Sequence, residues 1–370
     1  DEYEYKFIEK IVEQVSRVIN LCPLHVTDYP VGLKSRVLRV RKLLDAGSDD
    51  GVHMIGIHGM GGVGKSTLAR AVYNELIIAE EFHGLCFLAK VREDSNKHGL
   101  EHLQRELLSK IIGENINLTS KEQGISIIKS RLTRKKVLLI LDDVDTHEQL
   151  QAIAGRPDWF GPGSKIIITT RDKQLLASHE VNKTYVVEEL NANDALQLLT
   201  WKAFRKEKAD PTYVKVLRSA VTYASGLPLA LEVIGSDLFG KIIEEWESAI
   251  KQYKRIPKKK ILEILKVSFD ALEEEEKSVF LDIACCFKGC NWQEVEQMLR
   301  CLYDDCMKHQ IGVLVEKSLI EVSWDGVVNM HDLIQDMGRR IDQQESSKEP
   351  GKRRRLWLTK DILQVLKDNS

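Results

Sequence analysis

The chain lacks the sequence features of a membrane protein and of a strongly basic or acidic protein. It contains no run of about 18 or more apolar residues, which excludes a membrane-spanning helix. The chain also has no large excess of positive or negative charge, because its 54 Lys and Arg residues nearly balance its 56 Asp and Glu residues. No overall electric field therefore draws the chain to nucleic acid or to a lipid surface.

Paired cysteines are missing as well. The seven cysteines include no C-x-x-C pair, and they stand in apolar segments. This favours a reducing, intracellular compartment with cysteines in the core over a disulfide framework or a zinc site. The chain begins DEYEYKFIEK without Met, which is neither a signal peptide nor a natural N-terminus, so we expect a fragment.

Apolar runs alternate with helical patterns in the first half of the chain. The runs are β-branched and nearly continuous, which is typical of parallel strands covered on both faces. They stand at 52–57, 85–89, 137–141, 165–169 and 184–187. This alternation predicts an α/β domain with a parallel sheet over residues 29–190.

Strand patterns are missing after residue 190, except in one hairpin. Helical patterns predict an all-helical subdomain over 191–256 and four short helices over 259–316. The stretch LIEVSWDGVVNM, 319–330, predicts a hairpin about its Trp-Asp-Gly turn. Helices followed by a hairpin indicate a winged-helix subdomain over 257–345. The remaining ends are predicted as an N-terminal linker helix, 1–28, and a C-terminal linker, 346–370.

The stretch GIHGMGGVGKSTLARAV contains a complete phosphate-loop pattern, Gly59-x-x-x-x-Gly64-Lys65-Ser66, between a strand and a helix. Its glycines let backbone N–H groups turn toward an anion, and the helix N-terminus adds its dipole. Lys65 is then predicted to reach the β- and γ-phosphates, Ser66 to hold Mg²⁺, and Thr67 to lie near the α-phosphate. A chance match in a glycine-rich turn is the alternative, and the strand and helix around it argue against chance.

Two further strands end in charged residues. KKVLLILDDVD, 135–145, ends in an acid pair: Asp142 is predicted to bind Mg²⁺ and Asp143 to orient a water. Capping of the next helix is the alternative for this pair. SKIIITTR ends at Arg171, a cation that can meet a γ-phosphate and so distinguish ATP from ADP. A surface arginine is the alternative here.

Six ordered motifs resemble the NB-ARC module of plant disease-resistance proteins, over Tyr29 to Arg340. They are GMGGVGKST, LLILDDVD, GSKIIITTRD, GLPLAL, FLDIACCFKG and MHD. FLAKVRE and Asp145 are similar to the branch with an N-terminal TIR domain, and EPGKRRRLW resembles the lead into a leucine-rich-repeat domain. The resemblance implies a P-loop nucleotide-binding domain, a helical subdomain and a winged-helix subdomain that close on ADP, with the TIR and repeat domains outside this chain.

The resemblance also implies roles for individual residues. Val31 in YPVGL and Pro228 in GLPLAL would flank the adenine, and His331 of MHD would touch the β-phosphate of ADP. Leu33 stands where the family commonly has Arg, so a polar contact is not carried over there. From the residues alone, Pro228 can simply begin a helix, and Asp332 can cap the helix after His331. The implied phosphate-binding residues are Gly61, Gly62, Val63, Gly64, Lys65, Ser66 and Thr67.

The function that the resemblance implies is a nucleotide switch in an intracellular plant immune receptor. ADP would hold a closed, autoinhibited state, and exchange for ATP with Mg²⁺ would open it for self-association and defence signalling. We expect at most a slow ATPase, in the cytoplasm, with the nucleus as a second compartment.

Two other functions stay open: a turnover ATPase such as a kinase or motor, and an ATP-dependent transcription regulator that reads DNA through the winged helix. The recognition helix of such a regulator would lie near 309–316, which carries few bases and much apolar character. Lys258–Lys260 and Arg353–Arg355 are either nuclear-localisation or DNA patches, or solvated linkers. On balance, we do not expect nucleic acid as a partner.

Overall fold

The structure is a computed structural model, and it describes residues 23–46, 51–114, 116–255, 258–303, 307–345 and 353–368. The chain divides into two compact units. The first unit comprises residues 1–55 and 66–169, and the second comprises residues 56–65 and 170–370. The helical pattern at 5–20, which carries the predicted N-terminal linker helix, lies outside the described residues.

Helices alternate with five strands from residue 33 to residue 186. In chain order these elements are α1 (Leu33–Asp45), β1 (His53–His58), α2 (Lys65–Ala79), β2 (Gly84–Leu88), α3 (Val91–His98), α4 (Leu100–Ile112), α5 (Lys121–Leu132), β3 (Val137–Val144), α6 (His147–Ala154), β4 (Lys165–Thr170), α7 (Lys173–Ser178) and β5 (Lys183–Val186). The strands form one sheet in the order β2-β3-β4-β1-β5. Strands β2 and β3 are parallel, with Gly84 opposite Val137 and Leu88 opposite Leu141. The predicted parallel α/β fold is confirmed.

The central strands are buried along most of their length. In β3 the five residues from Val137 to Leu141 have no exposed surface, and in β4 the same is true from Ile166 to Ile168. Such continuous burial is what a parallel strand needs when helices cover both faces of the sheet. The apolar runs in the sequence therefore located all five strands to within a few residues.

Helices dominate from residue 192 onward. In chain order the elements are α8 (Ala192–Phe204), α9 (Val214–Ala224), α10 (Pro228–Leu238), α11 (Ile243–Arg255), α12 (Lys259–Asp270), α13 (Glu274–Asp282), α14 (Trp292–Tyr303), α15 (Met307–Glu316), β6 (Glu321–Val322), β7 (Val328–Asn329), α16 (Asp332–Glu345) and α17 (Thr359–Asp368). Strands β6 and β7 pair antiparallel, with Val322 opposite Val328. The four short helices and the predicted hairpin are confirmed.

Helix α15, which contains the segment considered above as a DNA-recognition helix, packs into the protein. Met307 and Leu314 have no exposed surface, and Ile311 is also buried. The apolar residues that the sequence places on this helix are therefore used in the core.

The basic run near the C-terminus is folded rather than solvated. The Arg355 side chain is buried and donates to the carboxylates of Asp282 and Asp342. Arg354 donates through Nη2 to the hydroxyl of Tyr303 at 2.9 Å. The interpretation of Arg353–Arg355 as a solvated linker or an exposed basic patch is therefore wrong for Arg355, because a buried cation is stable only when paired.

The cysteines do not all lie in the core. Cys86 and Cys285 are buried as expected, but Cys286 and Cys301 are exposed. Among the residues that the structure describes, no group of three or more His, Cys, Asp or Glu side chains could hold a metal ion. No helix in the described ranges is long and apolar enough to cross a bilayer.

Candidate functional site

The loop between β1 and α2 is in close contact with its surroundings at two glycines. Gly62 has a φ of 81°, and a Cβ there would lie 2.8 Å from the Cβ of Leu229. A Cβ on Gly61 would lie 2.7 Å from Nη1 of Arg171. The backbone of the loop is therefore in close contact with its surroundings and leads directly into a helix N-terminus. That arrangement suits an anion, because the first N–H groups of a helix have no partner within the helix.

Lys65 begins α2 and bends back over the loop. Its side chain is 7% exposed, and its Nζ donates to the carbonyl oxygens of Gly59 at 2.8 Å and Met60 at 2.9 Å. The ammonium group is thus held beside the loop, where it can reach a phosphate by exchanging these neutral acceptors. Ser66 and Thr67 follow in the first turn of α2 and are half-buried. Val63 is buried within the loop.

The start of α10 lies against the phosphate loop. The backbone N–H of Leu229 donates to the carbonyl of Gly62 at 3.2 Å. Cγ of Pro228 lies 4.0 Å from the position of a Cβ built on Gly64. Pro228 is the first residue of its helix, where its missing N–H costs nothing. The structure therefore brings Pro228 to the predicted site, while its contact with adenine stays a prediction.

Arg171 directly follows β4 and is bonded to the winged-helix region. Its Nη1 donates to the carbonyl of Ile264 in α12 at 2.8 Å. The next residue, Asp172, accepts from Nζ of Lys317 at 3.0 Å and caps α7 through the N–H of Gln174. Arg171 is thus packed against Gly61 on one side and held by a neutral acceptor on the other.

His331 uses both ring nitrogens. Its Nε2 lies 3.2 Å from the carbonyl oxygen of Ser225, and its Nδ1 accepts from the N–H of Leu333 at 3.1 Å. Both bonds form together only when Nε2 carries the proton and the ring is neutral. Burial lowers the pKa of His331, although the negative charge of Glu189 opposes this shift. The imidazole therefore joins the start of α16 to the end of α9.

Asp332 does not cap its helix. Helix α16 begins at Asp332 itself, and the capping bond to Leu333 comes from His331. The carboxylate of Asp332 instead accepts from Oγ of Ser225 at 2.8 Å and pairs with Lys288. The interpretation of Asp332 as the cap is wrong, and its carboxylate bonds to the same residue that His331 contacts.

In the first unit, the acid pair at the end of β3 is fixed by one threonine. Oγ1 of Thr169 donates to Oδ1 of Asp142 at 2.7 Å and accepts from the N–H of Asp143 at 2.8 Å. Asp142 is 3% exposed, and the backbone of Asp143 has a left-handed φ of 61°. The hydroxyl of Ser66 and the carboxylate of Asp142 are the hard oxygen donors that Mg²⁺ prefers, so these two residues suit a metal that accompanies a nucleotide.

Asp143 has a strong partner that the sequence analysis missed. Arg92 donates to Oδ2 of Asp143 through Nε at 3.0 Å and through Nη2 at 2.8 Å. A usable signal was present, because FLAKVRE places a cation just after β2, and β2 pairs with β3 in parallel. A residue soon after Leu88 therefore comes close to a residue soon after Leu141.

Val31 lies in the first unit, just ahead of α1. It is half-buried, and its N–H donates to the carbonyl of Tyr29 at 2.9 Å. In the second unit the structure brings together the loop, Arg171 and Pro228, and it bonds His331 to Ser225, three residues before Pro228. The role of Val31 at the adenine remains a prediction.

A phosphate loop at a strand–helix junction, an acid pair on a β-strand and a winged helix define a nucleotide-binding protein of the P-loop ATPase class. Residues 34–209 match the family model of the NB-ARC domain, and residues 273–346 match the model described as "Disease resistance protein Roq1-like, winged-helix domain". The chain belongs to the NB-ARC family of plant disease resistance proteins, which confirms the resemblance found in its motifs.

Several curated relatives resemble the chain along its whole length. It is 39% identical to TMV resistance protein N of Nicotiana glutinosa over 100% of the chain and 32% of that protein. It is 38% identical to disease resistance protein RML1A of Arabidopsis thaliana over 99% of the chain and 36% of that protein. Disease resistance protein RUN1 of Vitis rotundifolia is 39% identical, again over 99% of the chain but only 27% of its own length. The chain thus spans about a third of the length of these relatives.

A solved structure supports the fold. The Walker-type ATPase Paby2304 of Pyrococcus abyssi superimposes with a TM-score of 0.53 at 16% identity, covering 83% of this chain and 95% of the other. At this low identity the likeness concerns the fold alone. The chain is a nucleotide-binding module of the immune-receptor type.

Proposed function

We propose that this module is the ADP/ATP switch of a plant immune receptor. One observation carries the proposal: within a single compact unit, the phosphate loop is bonded to α10 through Leu229, and Arg171 beside it is bonded to α12 through Ile264. The predicted phosphate-binding residues are thus bonded directly to α10 and α12. Helix α12 begins the predicted winged-helix subdomain. A ligand of the loop can therefore act on that region.

In the resting state, the N–H groups of the loop and the ammonium of Lys65 bind the phosphates of ADP. His331 is held near Pro228 by its bond to Ser225, and it contacts the β-phosphate. Val31 and Pro228 flank the adenine. In the activated state, Ser66 and Asp142 hold Mg²⁺ alongside ATP.

Opening depends on what Arg171 binds. Its present acceptor is a neutral carbonyl, whereas a γ-phosphate is an anion. A phosphate attracts the guanidinium by its charge and can accept two of its N–H groups at once, which a neutral carbonyl cannot, so Arg171 exchanges Ile264 for the phosphate. The winged-helix region then loses one of its bonds and exposes surface for self-association. Only a difference in affinity between the two states can drive this change.

We propose that TIR and leucine-rich-repeat domains of the whole protein are the intramolecular partners of this module, in the cytoplasm. The names of these relatives, one a TMV resistance protein and two disease resistance proteins, support defence signalling as the output.

The test begins with the nucleotide that the purified protein carries. Denaturation followed by chromatography should release ADP in a ratio of about one per chain, as expected for a nucleotide that stabilises the folded state. The variants His331→Ala and Asp332→Val should then lower ADP affinity, whereas the exposed His309→Ala serves as the matched control and should not. Absence of any nucleotide affinity, or equal ADP affinity in all variants, would contradict the switch.

A further inference from the structure

The bond between Arg92 and Asp143 points to a control on hydrolysis. We propose that Arg92 is a positioning residue that restrains ATP hydrolysis by holding the Asp143 carboxylate in an ion pair. This inference rests on the proposed function, because it concerns the residue that would orient the attacking water at the same site. It adds a residue and a direction of effect that the motifs alone do not supply.

The geometry of the pair is that of a clamp. Nε and Nη2 of Arg92 both donate to the same oxygen, Oδ2 of Asp143. The two side chains are only 20% and 21% exposed, so water and salt screen the pair less than an exposed one. A guanidinium with two N–H groups on one carboxylate also fixes direction, which a lysine ammonium does not.

The backbone conformation at Asp143 limits how far its carboxylate can move. Its φ of 61° is in the left-handed region, which Asp tolerates better than most residues. Its N–H is held by Thr169, and that hydroxyl in turn holds Asp142. The carboxylates of the two neighbouring acids therefore have different partners: Asp142 accepts from the neutral hydroxyl of Thr169, and Asp143 pairs with the cation Arg92.

Arg92 itself is held by a second set of contacts. It is the second residue of α3, and Oγ of Ser95 donates to its carbonyl at 3.2 Å. Nε2 of the buried Gln149 donates to Oγ of Ser95 at 2.9 Å, and Oε1 of Gln149 accepts from the N–H of Asp145 at 3.0 Å. This network joins the start of α3 to the chain that follows Asp143, so the clamp and its target are fixed to each other.

The chemistry explains why such a clamp slows hydrolysis. The water oxygen forms a bond to the γ-phosphorus while the bond from that phosphorus to the β,γ-bridging oxygen breaks, and ADP leaves with that oxygen. The proton that the water gives up needs an acceptor, and Asp143 is the predicted one. A carboxylate already bonded twice to a guanidinium is a poorer acceptor. A slow reaction lets the nucleotide state persist, as a switch requires.

The experiment measures single-turnover hydrolysis of radiolabelled ATP by the intact chain and its variants. A positioned proton acceptor is worth about 10²–10⁴-fold in rate, so partial release in Arg92→Ala should raise the rate about tenfold. ATP affinity should stay within about twofold, because Arg92 contacts the acid rather than the ligand. Arg92→Lys keeps the charge but not the two-bond geometry, so it should give a rate between those of the wild type and Arg92→Ala. The exposed Arg105→Ala is the matched control and should leave the rate unchanged.

Asp143→Asn decides whether the effect passes through this acid. Arg92→Ala combined with Asp143→Asn should be no faster than Asp143→Asn alone, and thermal melts should show that all variants are folded. A rate in Arg92→Ala that is equal to or below the wild-type rate would overturn the inference, as would a double variant as fast as Arg92→Ala. If no variant binds ATP or ADP, the proposed nucleotide site itself fails, which is a different and recognisable outcome.

Discussion

Two arginines that follow strands of the sheet, Arg92 after β2 and Arg171 after β4, are bound in contrasting ways. Arg92 places two N–H groups on a carboxylate of its own unit. Nη1 of Arg171 donates to the backbone carbonyl of Ile264. A guanidinium bonded twice to a carboxylate is held more strongly than one bonded to an uncharged carbonyl, because the two opposite charges attract each other. The first arginine is therefore built to stay in place, and the second can be exchanged when a stronger acceptor arrives.

The contrast extends to the neighbours of each arginine. Around Arg92, the hydroxyl of Thr169 and the amide of Gln149 are buried and fully engaged. Next to Arg171, Asp172 pairs with Lys317, which is half-buried. The acids near Arg92 thus form a rigid cluster, and these are the residues that would take part in hydrolysis. The contacts around Arg171 are weaker, and these are the ones that would change when the conformation changes.

The largest effect should come from removing the hydroxyl that fixes both acids. Thr169→Val keeps the shape but leaves Asp142 and the N–H of Asp143 without this partner, which should cost about 2–3 kcal/mol in the free energy of unfolding. Urea titration measures the loss. Thr169→Ser keeps the hydroxyl, loses one methyl group, and should cost about 1 kcal/mol. Equal losses in both variants would mean that packing, not hydrogen bonding, holds the cluster.

Acid should weaken the contact made by His331. Its folded-state pKa lies below the ordinary value, so its contribution is fully present above about pH 6.5 and is lost as the pH falls below that value. Between pH 7.5 and pH 5.5 the wild type should lose more of its free energy of unfolding than His331→Gln, which has no titrating group at this position in this range. Unfolding at both pH values gives the difference. A larger loss in His331→Gln would contradict the neutral ring.

Arg171→Gln should have a smaller effect than Thr169→Val. It removes the bond from Nη1 to the carbonyl of Ile264, so the free energy of unfolding of the nucleotide-free protein should fall by about 1 kcal/mol. The measurement is again a urea titration, with Arg105→Gln as the surface control. A loss above about 3 kcal/mol, the size expected for a broken buried ion pair, would mean that Arg171 is not exchangeable.

The smallest effect on the free energy of unfolding should come from breaking the ion pair between Asp172 and Lys317. Both side chains are 23% exposed, and partly exposed pairs contribute about 0.2–1 kcal/mol. A double-mutant cycle with Asp172→Asn and Lys317→Met isolates their coupling, because Asp172 also caps α7. The coupling should shrink when salt is raised. A coupling of several kcal/mol that salt does not change would place this pair with the rigid cluster instead.

The fold and the outline of the site could be predicted from the sequence, because both depend on local patterns of residue type. The phosphate loop, the acid pair and the hairpin are each continuous stretches whose residues dictate their conformation. The partners of Arg92 and Arg171 were not predicted, because they lie 51 and 93 residues away along the chain. A backbone carbonyl such as that of Ile264 leaves no trace in residue type.

The basic run Arg353–Arg355 and the MHD motif were also misinterpreted, because their partners are remote in sequence. A run of arginines usually indicates a solvated segment, but tertiary contacts with Asp282 and Asp342 bury Arg355. An acid before a helix usually caps it, but Ser225 and Lys288 draw Asp332 away and leave the cap to His331. In both cases a charge partner remote in sequence outweighed a sound local rule.

The most direct test is hydrogen–deuterium exchange in α12, the helix that Arg171 contacts, with ADP and with a slowly hydrolysed Mg²⁺–ATP analogue. We expect slow exchange of the amides around Ile264 with ADP and clearly faster exchange with the analogue. In Arg171→Gln the two nucleotides should give the same exchange. Equal protection of α12 by both nucleotides in the wild type would contradict the claim that the γ-phosphate releases the winged-helix region.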